Sequence, residues 1–436
     1  MAIQGIDRDR FEAVLKEKLS PTTPIRTPEA LKGREKILED VRRSFVQPGR
    51  HVFIHGDRGV GKTSLAQTAA IQHQSSDGAP IFIGCDNAST FYGVARNISQ
   101  KLASGDPTVS KVTKSIGGGW RGFISAEASK TVERGVIPEF RSIDEAVSII
   151  GYLADKHSQR PVIVIDEFER ITDAAERMLF ADFIKQVGDQ SVPVRLLFCG
   201  IGSSLGDLLD AHHSCYRYLT AVPLERLGPH PCLEIIVSAF QALGIGVEDT
   251  TAYRIARISD GFPHYVHLIT EKLLWHVFVD ESEVQCSMPY HYSGAVRAAV
   301  VDIEPHLKAM YETASLKYKA DYETVLWAVA DHHELKRRST DIYKSYVRIM
   351  RAKAEEPLGR DIFNSRMNSL KRANHGSILK ANRQGWYEFK EAVVRGYVRL
   401  RAEEHGVELG NDHPLDGRSP EALGKTPASN VYRSRA

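Results

Sequence analysis

The chain is 436 residues long, too long for one compact core, so two or three domains are expected. Its 42% hydrophobic and 26% charged residues are ordinary for a globular protein, and no apolar run reaches membrane-spanning length, which argues against a membrane partner. The formal net charge of +2 hides an asymmetry: residues 308–400 carry roughly 19 Lys and Arg against about 11 Asp and Glu, leaving the rest mildly acidic. That uneven balance suggests an anionic partner for the C-terminal third, or a solvated basic face.

Met1-Ala2-Ile3-Gln4-Gly5-Ile6-Asp7 lacks the charged-then-apolar layout of a secretion signal. Cys85, Cys199, Cys215, Cys232 and Cys286 form no C-x-x-C pair and read as reduced thiols of a cytoplasmic protein. His212-His213 near Cys215 lacks a second ligand pair, which favours a structural role over a metal site. Residues 1–30 are polar, with Pro21, Pro24 and Pro28, and read as a leader on the domain surface. Gly33-Arg34-Glu35 then opens an amphipathic helix over 35–45, where Ile37, Leu38, Val41 and Phe45 recur at helical spacing.

The apolar strand at 51–55 runs into Gly56-Asp57-Arg58-Gly59-Val60-Gly61-Lys62-Thr63, which fits the phosphate-loop pattern G-x-x-x-x-G-K-[ST]. Ser64 to Ala70 continues as a helix. Strand, glycine turn and helix together make a nest of backbone N–H groups at a helix N-terminus, a built-in anion site. Residues 56–64 are therefore the expected nucleotide site, with Lys62 on the β- and γ-phosphates of ATP and the Thr63 hydroxyl on Mg²⁺.

A strand at 80–85 and a helix at 91–102 follow. The segment 105–140, with Gly117-Gly118-Gly119-Trp120, breaks the rhythm and reads as an inserted hairpin, either carrying partner contacts or merely decorative. After a helix at 143–157 comes Pro161-Val162-Ile163-Val164-Ile165-Asp166-Glu167, a buried strand ending in two acids. Asp166 can hold Mg²⁺ directly or through a water, and Glu167 can orient and deprotonate an attacking water, unless it is only a surface acid at a strand end. A helix at 174–187 and another buried strand at 193–200 complete an alternation that indicates a parallel sheet covered on both faces.

With Gly33-Arg34-Glu35, the glycine loop, Val162-Ile163-Val164-Ile165-Asp166-Glu167-Phe168-Glu169, the strand after it and Gly261-Phe262-Pro263-His264 in a helical stretch, residues 30–280 resemble the AAA+ ATPases. The resemblance is to the branch of origin-recognition initiators and transposition regulators, and also to the STAND signalling ATPases. It implies a sensor residue after the strand at 193–200, for which Ser203 is preferred to Ser204; either could instead cap a helix starting at Leu205. It implies an arginine finger just before the last core strand, given to Arg217, with Arg226 the competitor and a plain surface arginine the alternative. The second sensor, usually arginine, is His264 here, which lacks a permanent charge and so implies a nucleotide-gated switch with slow hydrolysis.

Helices over 321–330, 340–350 and 361–373, then a hairpin from 377 to 389 turning at Gly385, resemble a winged helix. Its third helix offers Arg360, Asn364, Arg366, Lys371 and Arg372 to double-stranded DNA, with Arg383 at the wing tip. Winged helices also dock protein, so that reading stays open. The expected division is a leader at 1–30, a P-loop α/β core at 31–227 with the insertion at 105–140, an all-α lid at 228–305, a winged-helix domain at 306–405 and a disordered tail at 406–436. The function expected is an ATP- and Mg²⁺-dependent AAA+ switch that acts on or with DNA and assembles, as a homo- or hetero-oligomer, through its AAA+ faces. The alternatives are a signalling or anti-phage defence ATPase whose winged helix docks protein, and a nucleotide-binding scaffold that hardly hydrolyses.

Overall fold

The computed structural model describes residues 3–104, 139–211, 215–315, 321–382 and 384–410. The insertion (except 139–140), His212-His213, Arg383 and the tail from 411 lie outside the described residues. The chain forms two compact units, Pro24–Glu225 and Met1–Thr23 with Arg226–Ala436. The leader is thus divided between them, and it holds a helix, α1 (Arg8–Lys18). Asp7 caps α1 by accepting from the Arg10 N–H, and Phe11 and Leu15, one turn apart, are its buried contacts. Two buried residues among eleven, with Ala13 and Val14 outside the buried face, make too weak a period to show in the sequence.

The Pro24–Glu225 unit runs α2 (Glu35–Val46), β1 (His51–His55), α3 (Lys62–His73), β2 (Ile81–Gly84), α4 (Phe91–Ser104), α5 (Ile143–His157), β3 (Val162–Asp166), α6 (Ala174–Asp189), β4 (Arg195–Gly200), α7 (Gly202–Ala211), α8 (Cys215–Tyr218) and β5 (Leu219–Pro223). The five strands are all parallel in the order β2-β3-β4-β1-β5. This is a P-loop NTPase fold, with α2 and α3 on one face and α4, α5 and α6 on the other. Burial on both faces explains why the strands are nearly continuous apolar runs rather than alternating ones. Under α4–α6 the rings of Phe53, Phe91, Phe168, Phe180 and Phe198 interlock, mostly edge to face. Parallel strands bring all their C-terminal ends to one edge, where β1 hands over to the glycine loop and β3 ends in Asp166.

The second unit is mostly helical: α9 (Pro229–Ala242), α10 (Asp249–Ile258), α11 (Pro263–Phe278), α12 (Pro289–Asp302), α13 (Pro305–Ala314), α14 (Asp321–Ala330), α15 (Ser339–Ala352), α16 (Arg360–Ser369) and α17 (Val394–Glu404). Proline opens α9, α11, α12 and α13, where its missing N–H costs no helical bond. α1 joins this unit through Phe11, stacked on Phe278 at 4.1 Å and edge-on to Trp275 at 4.8 Å. A small antiparallel sheet of β6 (Arg337–Arg338), β7 (Leu379–Ala381) and β8 (Trp386–Phe389) has the order β6-β8-β7. The two-residue β6 was not expected, because a strand so short has no period to detect. The helix expected over 361–373 stops at Ser369, so Lys371 and Arg372 stand beyond it in a turn. The tail is ordered further than expected: Val407 and Leu409 are buried, and the Gly410 N–H donates to Asp331.

One buried charge organises this unit. Asp260, between α10 and α11, has a side chain 1% exposed and faces Arg226 Nη1 at 2.6 Å, Arg395 Nε at 3.3 Å and Arg399 Nη1 at 3.3 Å. The same guanidiniums donate to carbonyls at and after the end of α14: Arg399 to Ala330 and His332, Arg395 to Glu334, and Arg226 to His333. The Ala330 carbonyl ends the helix, where partial negative charge collects, and the others add acceptors that one carboxylate cannot supply. Burial still lowers the Arg395 pKa to about 9, against the opposing pull of Asp260.

Candidate nucleotide site

The glycine loop closes tightly because two glycines permit it. Gly61 precedes α3 at φ +97°, a left-handed conformation that disfavours side chains. A Cβ on Gly56 would lie 2.1 Å from the Leu224 carbonyl oxygen. Lys62 Nζ donates to the carbonyls of Gly56 and Asp57, both at 3.0 Å, drawing the loop around its own ammonium. At the start of α3 the N–H groups of Lys62, Thr63 and Ser64 have no intrahelical acceptor, since the helical ladder opens with Leu65 N–H to Gly61 O. These N–H groups and the ammonium form a cradle for anionic oxygens. The Ser64 hydroxyl accepts from the Ile25 N–H at 3.1 Å, which ties the start of α3 to the segment before α2. Asp57, Arg58 and Gly59 are exposed on the outer turn, while Val60 is buried beneath.

Arg34, noted only as part of Gly33-Arg34-Glu35, is buried and braces the loop from behind. Its Nη2 donates to the carbonyls of Val60 at 3.2 Å and Glu225 at 2.6 Å. The pattern marked the position; the brace itself depends on β5 returning beside β1.

Thr63 Oγ1 donates to Asp166 Oδ2 at 2.7 Å, joining the glycine loop to the end of β3 across 103 residues. The other carboxylate oxygen, Oδ1, accepts from the Glu167 N–H at 2.8 Å. A hydroxyl and a carboxylate oxygen at this spacing are a fitting donor set for a hard divalent cation. Glu167 turns out of the strand at φ +55°, and its exposed carboxylate meets Arg170 Nε only at 3.5 Å. Phe168, fully buried, anchors the turn. Glu169 was not singled out by sequence, yet its Oε2 is buried without a hydrogen-bond partner and points at the end of β4. A Cβ on Gly200 would lie 3.5 Å from it. Below the site the thiols are inert: burial, then Asp166, pushes Cys85 up to about 12 and Cys199 well above its ordinary range.

Other expected residues sit as follows. α7 begins at Gly202 rather than Leu205, so Ser203 is an exposed first-turn residue and Ser204 is buried; neither precedes the helix as a cap. Arg217 is exposed on α8, immediately before β5. Arg226 is held by Asp260 within the other unit. In that unit too, His264 Nδ1 donates to the Pro21 carbonyl at 2.7 Å and its Nε2 is buried without a partner. A neutral His264 has thus already used its one ring N–H.

The basic residues of the C-terminal module are less free than their types suggest. Arg366 pairs with Asp321 at 2.9 Å and lies over the Tyr322 ring. Arg360 lies over Tyr343 and Lys371 over Tyr387. Asn364 is half-buried. The exposed face of α16 carries Asp361, Ile362, Ser365 and Asn368, with Arg372 exposed just past its end.

Residues 30–198 match the family profile described as AAA ATPase domain. Over that stretch the chain is similar to AAA ATPase domains. Among solved structures, the chain is similar to the Walker-type ATPase of Pyrococcus abyssi, at 15% identity and a TM-score of 0.50, covering 86% of this chain and 98% of that one. It is also similar to Cdc6p from Pyrobaculum aerophilum, at 14% identity and a TM-score of 0.45 over 91% and 99% of the two chains. The ORC2 protein of Aeropyrum pernix gives 13% identity and a TM-score of 0.46 over 90% and 98%. At 15% identity the likeness to the Pyrococcus abyssi structure is one of fold. No match was found among curated proteins. Among the described residues, no helix is long and apolar enough to cross a membrane.

Proposed function

We propose that the chain is an ATP-binding and ATP-hydrolysing switch whose output lies in the module formed by α14–α16 and the β6-β8-β7 sheet. The observation that carries the ATPase reading is the 2.7 Å contact of Thr63 with Asp166 at the mouth of the N–H cradle. Lys62 and the first N–H groups of α3 would bind the phosphates, and Thr63 and Asp166 would hold Mg²⁺. The metal supplies charge neutralisation on the transferring phosphoryl group. Glu167 would orient and deprotonate a water, a role supported by its exposure and by its loose 3.5 Å contact with Arg170. Arg217 stands exposed at the edge of the core, which supports its reaching a neighbouring subunit of an oligomer.

The order helix, strand, two helices, hairpin in the C-terminal module supports a winged helix, and its excess of basic residues favours double-stranded DNA as the partner. The second reading is a signalling or defence ATPase whose module docks protein. It is favoured by Arg360, Arg366 and Lys371 being held over aromatic rings of the same module.

The test pairs binding with turnover. Glu167→Gln should lower phosphate release by roughly 100-fold or more while leaving the affinity for a fluorescent ATP analogue intact. Lys62→Ala should abolish that affinity. Turnover unchanged in Glu167→Gln would remove the catalytic assignment. Duplex DNA titrated at several salt concentrations separates the two outputs, because phosphate contacts weaken steeply with salt and docking to protein leaves no DNA affinity.

A further inference from the structure

At the end of the sheet opposite the glycine loop, where β1 and β4 begin, a crevice of about 930 Å³ opens beside α2, the end of α3 and the turns leading into β3 and β4. That volume is near the upper end of what small-ligand sites enclose. Its floor is apolar, with Leu38, Phe45 and Val46, and Val46 is 69% exposed, which is unusual for an aliphatic side chain beside a core. Arg42, Arg160 and Arg195 stand in the wall.

The acids sharing that wall do not neutralise all three. Glu39 is engaged by Arg42 and Arg43 at 2.6 and 3.1 Å, and Glu35 accepts from the Gly33 N–H at 3.2 Å. The Arg160 guanidinium is exposed and has no partner among the described residues. Half-buried Arg195 donates through Nε to Phe45 O and through Nη1 to Val194 O, which leaves Nη2 without an acceptor. The neighbouring groups register this positive field. His73, on the crevice wall, keeps Nε2 buried without a partner, and its pKa is lowered by burial, Arg42 and Arg160. Burial and Arg195 lower His51, behind the wall, to about 3, and Arg195 is itself lowered by burial and Arg160.

We propose that this crevice is a docking site for an acidic peptide segment of a partner protein, with an apolar side chain on Phe45 and Val46 and carboxylates on Arg160 and Arg195. An inorganic anion would leave the apolar floor uncovered, and the continuous charge of a nucleic-acid backbone would meet Glu35 and Glu39. The segments of this chain outside the described residues, 105–138 and 411–436, carry more Lys and Arg than Asp and Glu, so their charge does not match the wall. The site stands apart from the nucleotide site, at the other end of the same strands.

The test uses the full chain and a fluorescein-labelled hexapeptide in which four Asp and Glu residues flank Leu-Phe, followed by anisotropy. The expected dissociation constant is on the order of 10 µM, weakening with salt. Arg160→Glu and Val46→Asp, both at exposed positions, should each weaken binding about tenfold with unchanged melting and unchanged ATP affinity. A peptide with Ser-Ser in place of Leu-Phe should bind about tenfold more weakly as well. The proposal is overturned if neither variant changes the affinity, if inorganic phosphate or a single-stranded oligonucleotide competes as well as the peptide, or if no binding is seen below millimolar concentration.

Discussion

Asp260→Asn tests the buried charge cluster with the least change of shape. Asparagine has nearly the same size and tolerates the left-handed backbone at Asp260, φ +53°, so the substitution removes charge and little else. What remains is three guanidiniums, of which those of Arg395 and Arg399 are 1% exposed, with no anion among them. The carbonyls at and after the end of α14 still accept their hydrogen bonds, but partial charges do not replace a carboxylate at 2.6 to 3.3 Å. Breaking a buried ion pair by removing one partner costs about 3–5 kcal/mol, and this site sits at the upper part of that range because one anion serves three cations. For a unit of this size that corresponds to a fall in melting temperature on the order of 10 °C. Calorimetry should show the fall in one transition and not in both, since the two units need not unfold together. Asp302→Asn, which removes the half-exposed partner of Lys272, is the control, at about 0–1 kcal/mol. If Asp260→Asn shifts the melting no more than that control, Asp260 is not the keystone of the helical unit.

Gly56→Ala should abolish ATP-analogue binding, because its new Cβ would lie 2.1 Å from Leu224 O and force the loop outward; retained affinity in equilibrium titrations would show that β5 yields instead. His51, fully buried and lowered to about 3, should make the core less stable as pH falls from about 6.5 towards that value, since the unfolded chain takes up the proton first and the native state does not. Urea titrations at pH 7 and pH 4 should show a loss of a few kcal/mol that His51→Asn largely removes. Arg366→Ala should lower the stability of the C-terminal module, by loss of Asp321 and the Tyr322 ring, and affect duplex DNA affinity less than Arg372→Ala does in the same anisotropy assay. Glu169→Gln should reduce ATP turnover at least about tenfold with little change in ATP affinity, and a normal rate would show that the carboxylate aimed at Gly200 is only structural.

How much of the site could be read from the chain depended on how far its parts lie apart along it. The strand, glycine turn and helix at 51–73 are contiguous, and each residue type there answers to a local need, so both the loop and its nest of N–H groups were foreseeable. Asp166 was recognisable as a carboxylate ending a buried apolar run. The bracing by Arg34 was not, because it needs Glu225 and Val60 to converge on one guanidinium. Glu169 is hidden for a similar reason: its carboxylate lies beside Gly200, and nothing local connects 169 with 200. In the C-terminal module, residue type said nothing of the rings these side chains meet. Arg360, Arg366 and Lys371 are suited to phosphates, but each lies over an aromatic ring contributed by another element.

The same distinction bears on how the proposed switch would be thrown. In the core, Thr63 meets Asp166 and Lys62 threads the loop, so the cradle is held by the chain's own contacts. Pre-organisation of that kind favours affinity. It leaves little conformational work for the glycine loop itself. Nucleotide-dependent change must then come from groups that can still gain or lose a partner. Glu167, Glu169 and Arg217 fit that description in the core; around Asp260 the three guanidiniums are held by ion pairs and carbonyls, with Asp260 Oδ2 and the Nε and Nη2 of Arg395 lacking a hydrogen bond there. Trapping the bound state with Glu167→Gln and comparing amide exchange with and without ATP should therefore slow exchange along β3–α6 and the start of α7, and leave α17 as protected as before. Faster exchange in α17 on binding ATP would mean that the Asp260 cluster is itself the moving part.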